Sequence, residues 1–176
     1  MRANRAEGLS RLKEFIATAL ADYSQRRNLD LGPSEHQSVV SVLSPYLSTR
    51  LLLESECIAM ALLSHNAQAI SKWIDEVIWR TYWRGWLEHN PTVWSDYKGA
   101  LAELTSDGWH QRSDYLAAIN GHSGIRCFDT WVSELTTTGY LHNHARMWLA
   151  SIWIFTLRLP WQLGAEFFLK HLLDGD

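Results

Sequence analysis

Four groups of residues have the types and spacing to do chemistry. The stretch from Val39 to Pro45 places Ser41 and Ser44 ahead of a Pro that suits a first helical position. A helix start leaves free backbone N–H groups and a partial positive charge, so with two hydroxyls it can hold a phosphate or simply cap the helix. Further on, Trp73, Glu76, Val77 and Arg80 fall on one side of a helix by their spacing. A ring, a carboxylate and a guanidinium there could face a cavity, and the Arg fork suits a diphosphate. The plainer reading is a Glu76–Arg80 surface pair beside a core Trp. His142, Asn143, His144 and Arg146 form a polar cluster within an apolar helical stretch, and Asp174 and Asp176 end the chain in a turn. These carboxylates could pair with Arg146, accept from a ligand, or face water.

What is missing narrows the chemistry. His142 and His144 are two apart and point to different sides of a helix, and Cys57 and Cys127 show no paired spacing, so neither zinc nor a disulfide framework is supported. The His-Asn-His string is only a superficial match to nuclease motifs. Nor is there a nucleophile beside a base, a pair of acid and base carboxylates, or a Gly-rich phosphate loop. Chemistry here would need a cofactor.

The elements that must position these groups are helices. The chain has 176 residues, 47% hydrophobic, with ten Trp and 20% charged residues, which suits one globular domain and excludes disorder. Apolar residues recur at helical spacing almost throughout, and alternating strand-like runs are nearly absent, so an all-α bundle is expected. Leu9, Leu12, Phe15, Ile16, Leu20 and Tyr23 predict a first amphipathic helix ending near Arg27. Residues 28–38 read as a surface connection. A Trp-rich helix is predicted over Ile70 to Leu87, and Gly139 as the cap of a later one. The run Met147 to Leu157 reads as a buried helix, being shorter than the ~20 residues a membrane span needs. With no secretory signal and unpaired cysteines, a cytoplasmic protein without membrane partners is expected. A formal net charge of −3 gives no global attraction to DNA, leaving only a local basic patch to supply it.

Taken together, the segments resemble the helical FAD-binding domain of the DNA photolyase and cryptochrome family over nearly the whole chain, residues 1–176. The most specific part is SGIRCFDTWVSELTTTGYLHNHARMWLASIWIF followed by LPWQLGAEFFLKHLLDGD. It is similar to the family block running from a TG-x-x-x-x-D turn through G-[WY]-x-H-N to D-G-D. Tyr23 with Arg27 and Asn28, the LSPYLS segment, and WIDEVIWR, which resembles W-x-x-E-[LI]-x-W-R, add to it.

The resemblance implies FAD as cofactor and damaged DNA as a partner. Tyr23 and the segment Ser41, Val42, Leu43 and Ser44 would meet the diphosphate and ribityl chain. Trp73 and Arg80 would line the cofactor cavity, and Asn143, Arg146, Asp174 and Asp176 would surround the isoalloxazine and ribose. In repairing members Glu76 and Trp79 would face a flipped pyrimidine dimer, with Asn143 at the flavin, and Arg27 would touch DNA phosphate. Trp161 would match the middle station of an electron-transfer chain and Trp109 would lie near the outer one.

Departures from the family pattern carry expectations too. No antenna domain and no flavin-proximal Trp segment are expected. Val40 and Val42 replace the usual Thr and Arg, Arg50 stands where a small residue is common, Arg126 replaces a frequent Pro, and His144 replaces an Arg near DNA. These changes imply a weakened DNA face, and either a non-repair flavin-binding module or an open pocket without flavin is the alternative, the open pocket being prone to self-association.

Overall fold

The computed structural model describes residues 4–175. Ten α-helices carry the chain and no strand occurs among the described residues, so the fold is all-α. The helices are α1 Arg5–Thr18, α2 Tyr23–Arg26, α3 Ser44–Ser48, α4 Glu54–Leu62 and α5 Ser71–His89, then α6 Thr92–Ser106, α7 Ser113–Ile119, α8 Arg126–Thr138, α9 Asn143–Ser151 and α10 Trp161–His171. They divide into two compact units, one through Glu88 and one from His89.

The first unit is built on the inward stripe of α1. Asn4 caps this helix by accepting from the Glu7 N–H at 2.9 Å, and Leu12, Phe15 and Ile16 are buried one or two turns apart. They pack with Leu43, Tyr46 and Leu47 around α3, Cys57 and Ala61 of α4, and Trp73 and Val77 of α5. Close approach of α1 to this layer depends on Gly8, since a Cβ there would lie 2.8 Å from the Tyr46 ring. The connection after α2 is less open than its composition predicts. His36 is buried in a short helical turn, His36–Ser38, and Gln37 bonds both Arg11 at 2.9 Å and Glu14 at 2.8 Å. Polar residues read as solvated are thus partners for the outer face of α1.

The second unit gathers Phe128, Val132 and Leu135 of α8 with Ala145, Leu149, Trp153, Leu163 and Phe167. Three features set its frame. Asp129, in the first turn of α8, accepts from the Ser123 N–H at 2.9 Å, the Ser123 hydroxyl at 2.7 Å and the Gly124 N–H at 3.2 Å, which fixes the turn before the helix. Gly139 ends α8 at φ 70°, a left-handed conformation that favours Gly, and its carbonyl accepts from Leu173 at 2.9 Å. Beyond α9 the chain widens into a π-turn, Ile152–Thr156, which places Trp153 so that its indole N–H donates to the Pro160 carbonyl at 2.9 Å.

Two expectations are corrected here. The Met147 to Leu157 stretch is not a buried helix: Leu149 and Trp153 are inside, but Met147 is 60% and Phe155 76% exposed. An apolar helix has only one inward stripe in a unit this small, so its remaining apolar side chains face out. The polar cluster His142 to Arg146 is not interior to a helix either, because His142 is the N-cap of α9, accepting from the His144 N–H at 3.2 Å through Nδ1. No described helix is long and apolar enough to cross a membrane, and no described group of three His, Cys, Asp or Glu could hold a metal.

Candidate functional site

Candidate residues fall into one set in each unit. In the first, the connection into α3 bends sharply: Val42 has φ 51° and Leu43 returns to right-handed geometry at φ −96°. A β-branched residue at positive φ is a strained choice, of the order of 1–3 kcal/mol, that persists only where the surroundings impose it. A left-handed residue followed by a right-handed one turns successive N–H groups the same way, as anion-binding concavities do. Among the described residues the N–H groups of Ser41 to Ser44 have no backbone acceptor. The Ser44 hydroxyl oxygen is buried and without a hydrogen-bond partner. A buried hydroxyl in that state is costly unless something outside the fold completes it, so the segment fits an anionic or hydroxylic ligand.

Around Tyr23 the first unit builds a packed wall. The Tyr23 ring meets Phe15 edge-on at 5.9 Å between centroids, and Phe15 meets Trp73 at 5.8 Å. Trp73 is only 2% exposed, held by the core. Burial, and after it the Glu76 charge, pushes the Tyr23 phenol up to about 12, with Arg27 acting the other way. The Glu76 carboxylate is bonded by the Arg27 guanidinium, so the residue that follows α2 and one on α5 form one ion pair. Arg80, one turn on, is half-buried with its Nε inside. Trp79 faces outward at 50% exposure, its ring 5.3 Å from Tyr82 and 6.3 Å from Trp83, and Trp83 continues to Trp86 at 5.9 Å. Four aromatic rings thus run along the open side of α5.

In the second unit Arg146 and Asp174 form a bidentate pair at 3.2 and 2.7 Å. Arg146 also donates through Nε to the Leu141 carbonyl at 2.9 Å, and its guanidinium lies 5.6 Å from the Tyr140 ring centre. Asp174 is 4% exposed, and the Leu173 bond to Gly139 holds the segment that carries it. Asn143 stands exposed at the first turn of α9. Asp176 lies outside the described residues.

The two Trp residues read as electron-transfer stations have separate surroundings. Trp161 is 51% exposed with its ring 5.8 Å from Tyr97, which in turn lies 5.3 Å from Trp94. Trp109 carries the Arg112 guanidinium at 4.1 Å from its ring centre, and no ring contact joins it to Trp161 among the described residues.

Two features escaped the sequence reading. Asp129 is the clamp that gives the Ser-Gly-x-x-x-x-Asp spacing its physical meaning, and that spacing was the visible signal. The other is a cavity of about 510 Å³ in the second unit, lined by His110, Tyr115, Glu166, Lys170 and His171 among others. There the His110 ring bonds the Glu166 carboxylate at 2.7 Å, and no local spacing announces a pair so distant in sequence.

Comparison with known proteins puts these residues in context. A family model described as the FAD binding domain of DNA photolyase matches residues 73–176. The deoxyribodipyrimidine photo-lyase of Neurospora crassa is 30% identical over 99% of this chain and 29% of its own length. That of Escherichia coli is 28% identical over 96% of this chain and 35% of its own. Among solved structures, a bacterial class III photolyase from Agrobacterium tumefaciens superposes with a TM-score of 0.78 at 27% identity, covering 98% of this chain and 35% of that one. The chain therefore spans about a third of the length of the relatives it matches.

Proposed function

Because the chain belongs to the family of FAD-binding domains of DNA photolyase, with FAD as the cofactor of that family, we propose that it is the flavin-holding module of a photolyase-like protein acting on pyrimidine dimers in DNA. When bound, FAD would supply light absorption and the transferable electron. The chain's own residues would hold the cofactor, admit the lesion and exclude water.

The Ser41 to Ser44 turn would bind the diphosphate through backbone N–H groups and the Ser44 hydroxyl, with Tyr23 alongside and Arg80 supplying positive charge. Arg146, fixed by Asp174 and the Leu141 carbonyl, would bring its positive charge to the ring system, with Asn143 contributing an amide. Trp79 would stack on a flipped pyrimidine dimer, Glu76 would accept its N–H groups, and Arg27 would take a backbone phosphate. The observation in this chain that carries the cofactor reading is the buried, unpartnered Ser44 hydroxyl beside the strained Val42 turn.

The test is the absorbance spectrum of freshly purified protein before and after anaerobic blue light with a reductant, with release and identification of the chromophore. Bound FAD that bleaches reversibly supports the reading; a colourless protein that also refuses added FAD overturns it. Retention should fall further in Arg80→Ala than in Arg84→Ala, because Arg84 serves the fold by donating to the Ser48 carbonyl at 3.2 Å. A second reading, flavin binding without repair, is favoured by His144 standing where the family pattern has an Arg near DNA. Binding of duplexes with and without a pyrimidine dimer, at stated salt, separates the two.

A further inference from the structure

The Arg27–Glu76 ion pair joins one residue suited to a DNA phosphate and one suited to lesion bases. We infer that this pair is a specificity device: it disfavours undamaged DNA, because a phosphate that draws Arg27 away from Glu76 breaks the pair and only a lesion gives both halves a new partner. The inference rests on the proposed repair function and adds to it the origin of discrimination.

The reasoning follows from burial and charge. The two side chains are 23% and 34% exposed, so neither is fully hydrated, and each depends on the other for part of its solvation. Tyr23, its phenol raised by burial and by Glu76, lies close enough to feel both charges and packs edge-on against Phe15. An undamaged duplex offers Arg27 a phosphate but leaves Glu76 without a donor, a half-buried carboxylate beside a polyanion. That is the expensive case, since stranding one member of a charged pair costs more than the pair contributes. A flipped pyrimidine dimer brings N–H donors to Glu76 at the moment the phosphate takes Arg27, so both charges stay satisfied. Selectivity then arises from a penalty on the wrong ligand as much as from contacts to the right one. Arg27 is accordingly a positioning residue for Glu76 as well as a phosphate contact.

The experiment measures affinities for a duplex with and without one pyrimidine dimer, at one salt concentration, for the wild type, Glu76→Gln, Arg27→Ala and the double variant. Glu76→Gln is expected to raise affinity for undamaged DNA about tenfold, about 1.4 kcal/mol, and to shrink the lesion preference. That gain should vanish when Arg27 is also Ala. A gain that persists without Arg27 is a general charge effect and overturns the inference, as does selective lesion binding unaltered in Glu76→Gln. The pair itself is read without DNA by urea stability of the same three variants: non-additive losses in Glu76→Gln and Arg27→Ala are expected, and strictly additive ones refute the pairing. If no variant binds either duplex at low salt, the repair reading fails and this inference falls with it. Failure of the inference alone leaves lesion binding intact, so the two failures are distinct.

Discussion

Replacing Arg146 by Met should cost the second unit far more than an ion pair normally would. Its partner Asp174 has a side chain only 1% exposed, and Arg146 itself is 12% exposed. The guanidinium supplies both hydrogen bonds, at 3.2 and 2.7 Å, to the Asp174 carboxylate. An exposed pair contributes about 0–1 kcal/mol, whereas removing one member of a buried pair strands the other and costs about 3–5 kcal/mol. The second figure applies, because water reaches neither carboxylate oxygen freely. Losing the Nε bond to the Leu141 carbonyl adds about 1 kcal/mol. Arg146→Met/Asp174→Leu should recover most of the loss, since no charge is left behind. The assay is urea-dependent hydrogen exchange at the Leu149 amide, a buried position of α9 within the second unit. A loss below about 1 kcal/mol in Arg146→Met, or a double variant no more stable than the single one, would refute the claim that the pair acts as a buried charge couple.

Four further outcomes follow from the geometry. Ser44→Ala should leave the stability of the empty protein unchanged or slightly higher, because its hydroxyl has no partner there, yet weaken FAD binding several-fold by the loss of about 1 kcal/mol; equal flavin affinity in titrations would remove Ser44 from the site. Arg50 sits at φ 60°, a left-handed position costing about 1–2 kcal/mol, but it bonds at 2.8 Å a Glu54 side chain that is only 12% exposed, so Arg50→Gly relieves strain while stranding a largely buried carboxylate and should lower the denaturation midpoint; a raised midpoint would refute this. Gly139→Ala should cost about 1–2 kcal/mol from φ alone and loosen the tail carrying Asp174, since the added Cβ would lie 2.6 Å from Leu173; unchanged exchange at the Leu173 amide would contradict it.

The remaining prediction concerns pH. Burial raises the Asp129 carboxyl, but the bonds from Ser123 and Gly124 outweigh it and hold the group below its ordinary 3.8. A depressed carboxyl adds stability that is fully present above 3.8 and is lost as pH falls through the folded value. Asp129→Asn should therefore flatten the acid limb of the stability profile below pH 3.8, and an unaltered limb would count against the clamp.

The exposed rings of α5 show how far local pattern reaches. Periodicity placed a helix over Ile70 to Leu87, and the structure has α5 at Ser71–His89, because the spacing of apolar residues along a helix is a local property. The same periodicity identified Leu9, Leu12, Phe15, Ile16, Leu20 and Tyr23 as inward; four are buried and Leu9 and Tyr23 partly so, but the single helix expected to reach Arg27 ends at Thr18, with α2 following separately. Gly139 was legible as a helix end for an equally local reason, the left-handed turn that only Gly takes cheaply. Membership in the photolyase FAD-binding family was legible in the motif order, which the match over residues 73–176 supports.

Other features depended on partners that sequence distance hides. Spacing pointed Glu76 toward Arg80, but a residue from α2's end, Arg27, takes its carboxylate once the first unit packs. Pairing across helices is decided by which faces the core turns toward each other, and no local pattern records that. The Asp174 turn read first as solvent-facing in the sequence, with a ligand or Arg146 as alternatives; burial by the second unit chose Arg146, since an ionised carboxylate that loses its water needs a guanidinium. His36 sat in a segment that reads as polar surface and is buried because Gln37 and its neighbours close over α1. What the sequence determined by itself was the helices, their inward stripes and the family. Only tertiary structure decided which charges pair, which apolar side chains are left facing water, and which buried hydroxyl is left without a partner, because those depend on packing between segments that lie far apart along the chain.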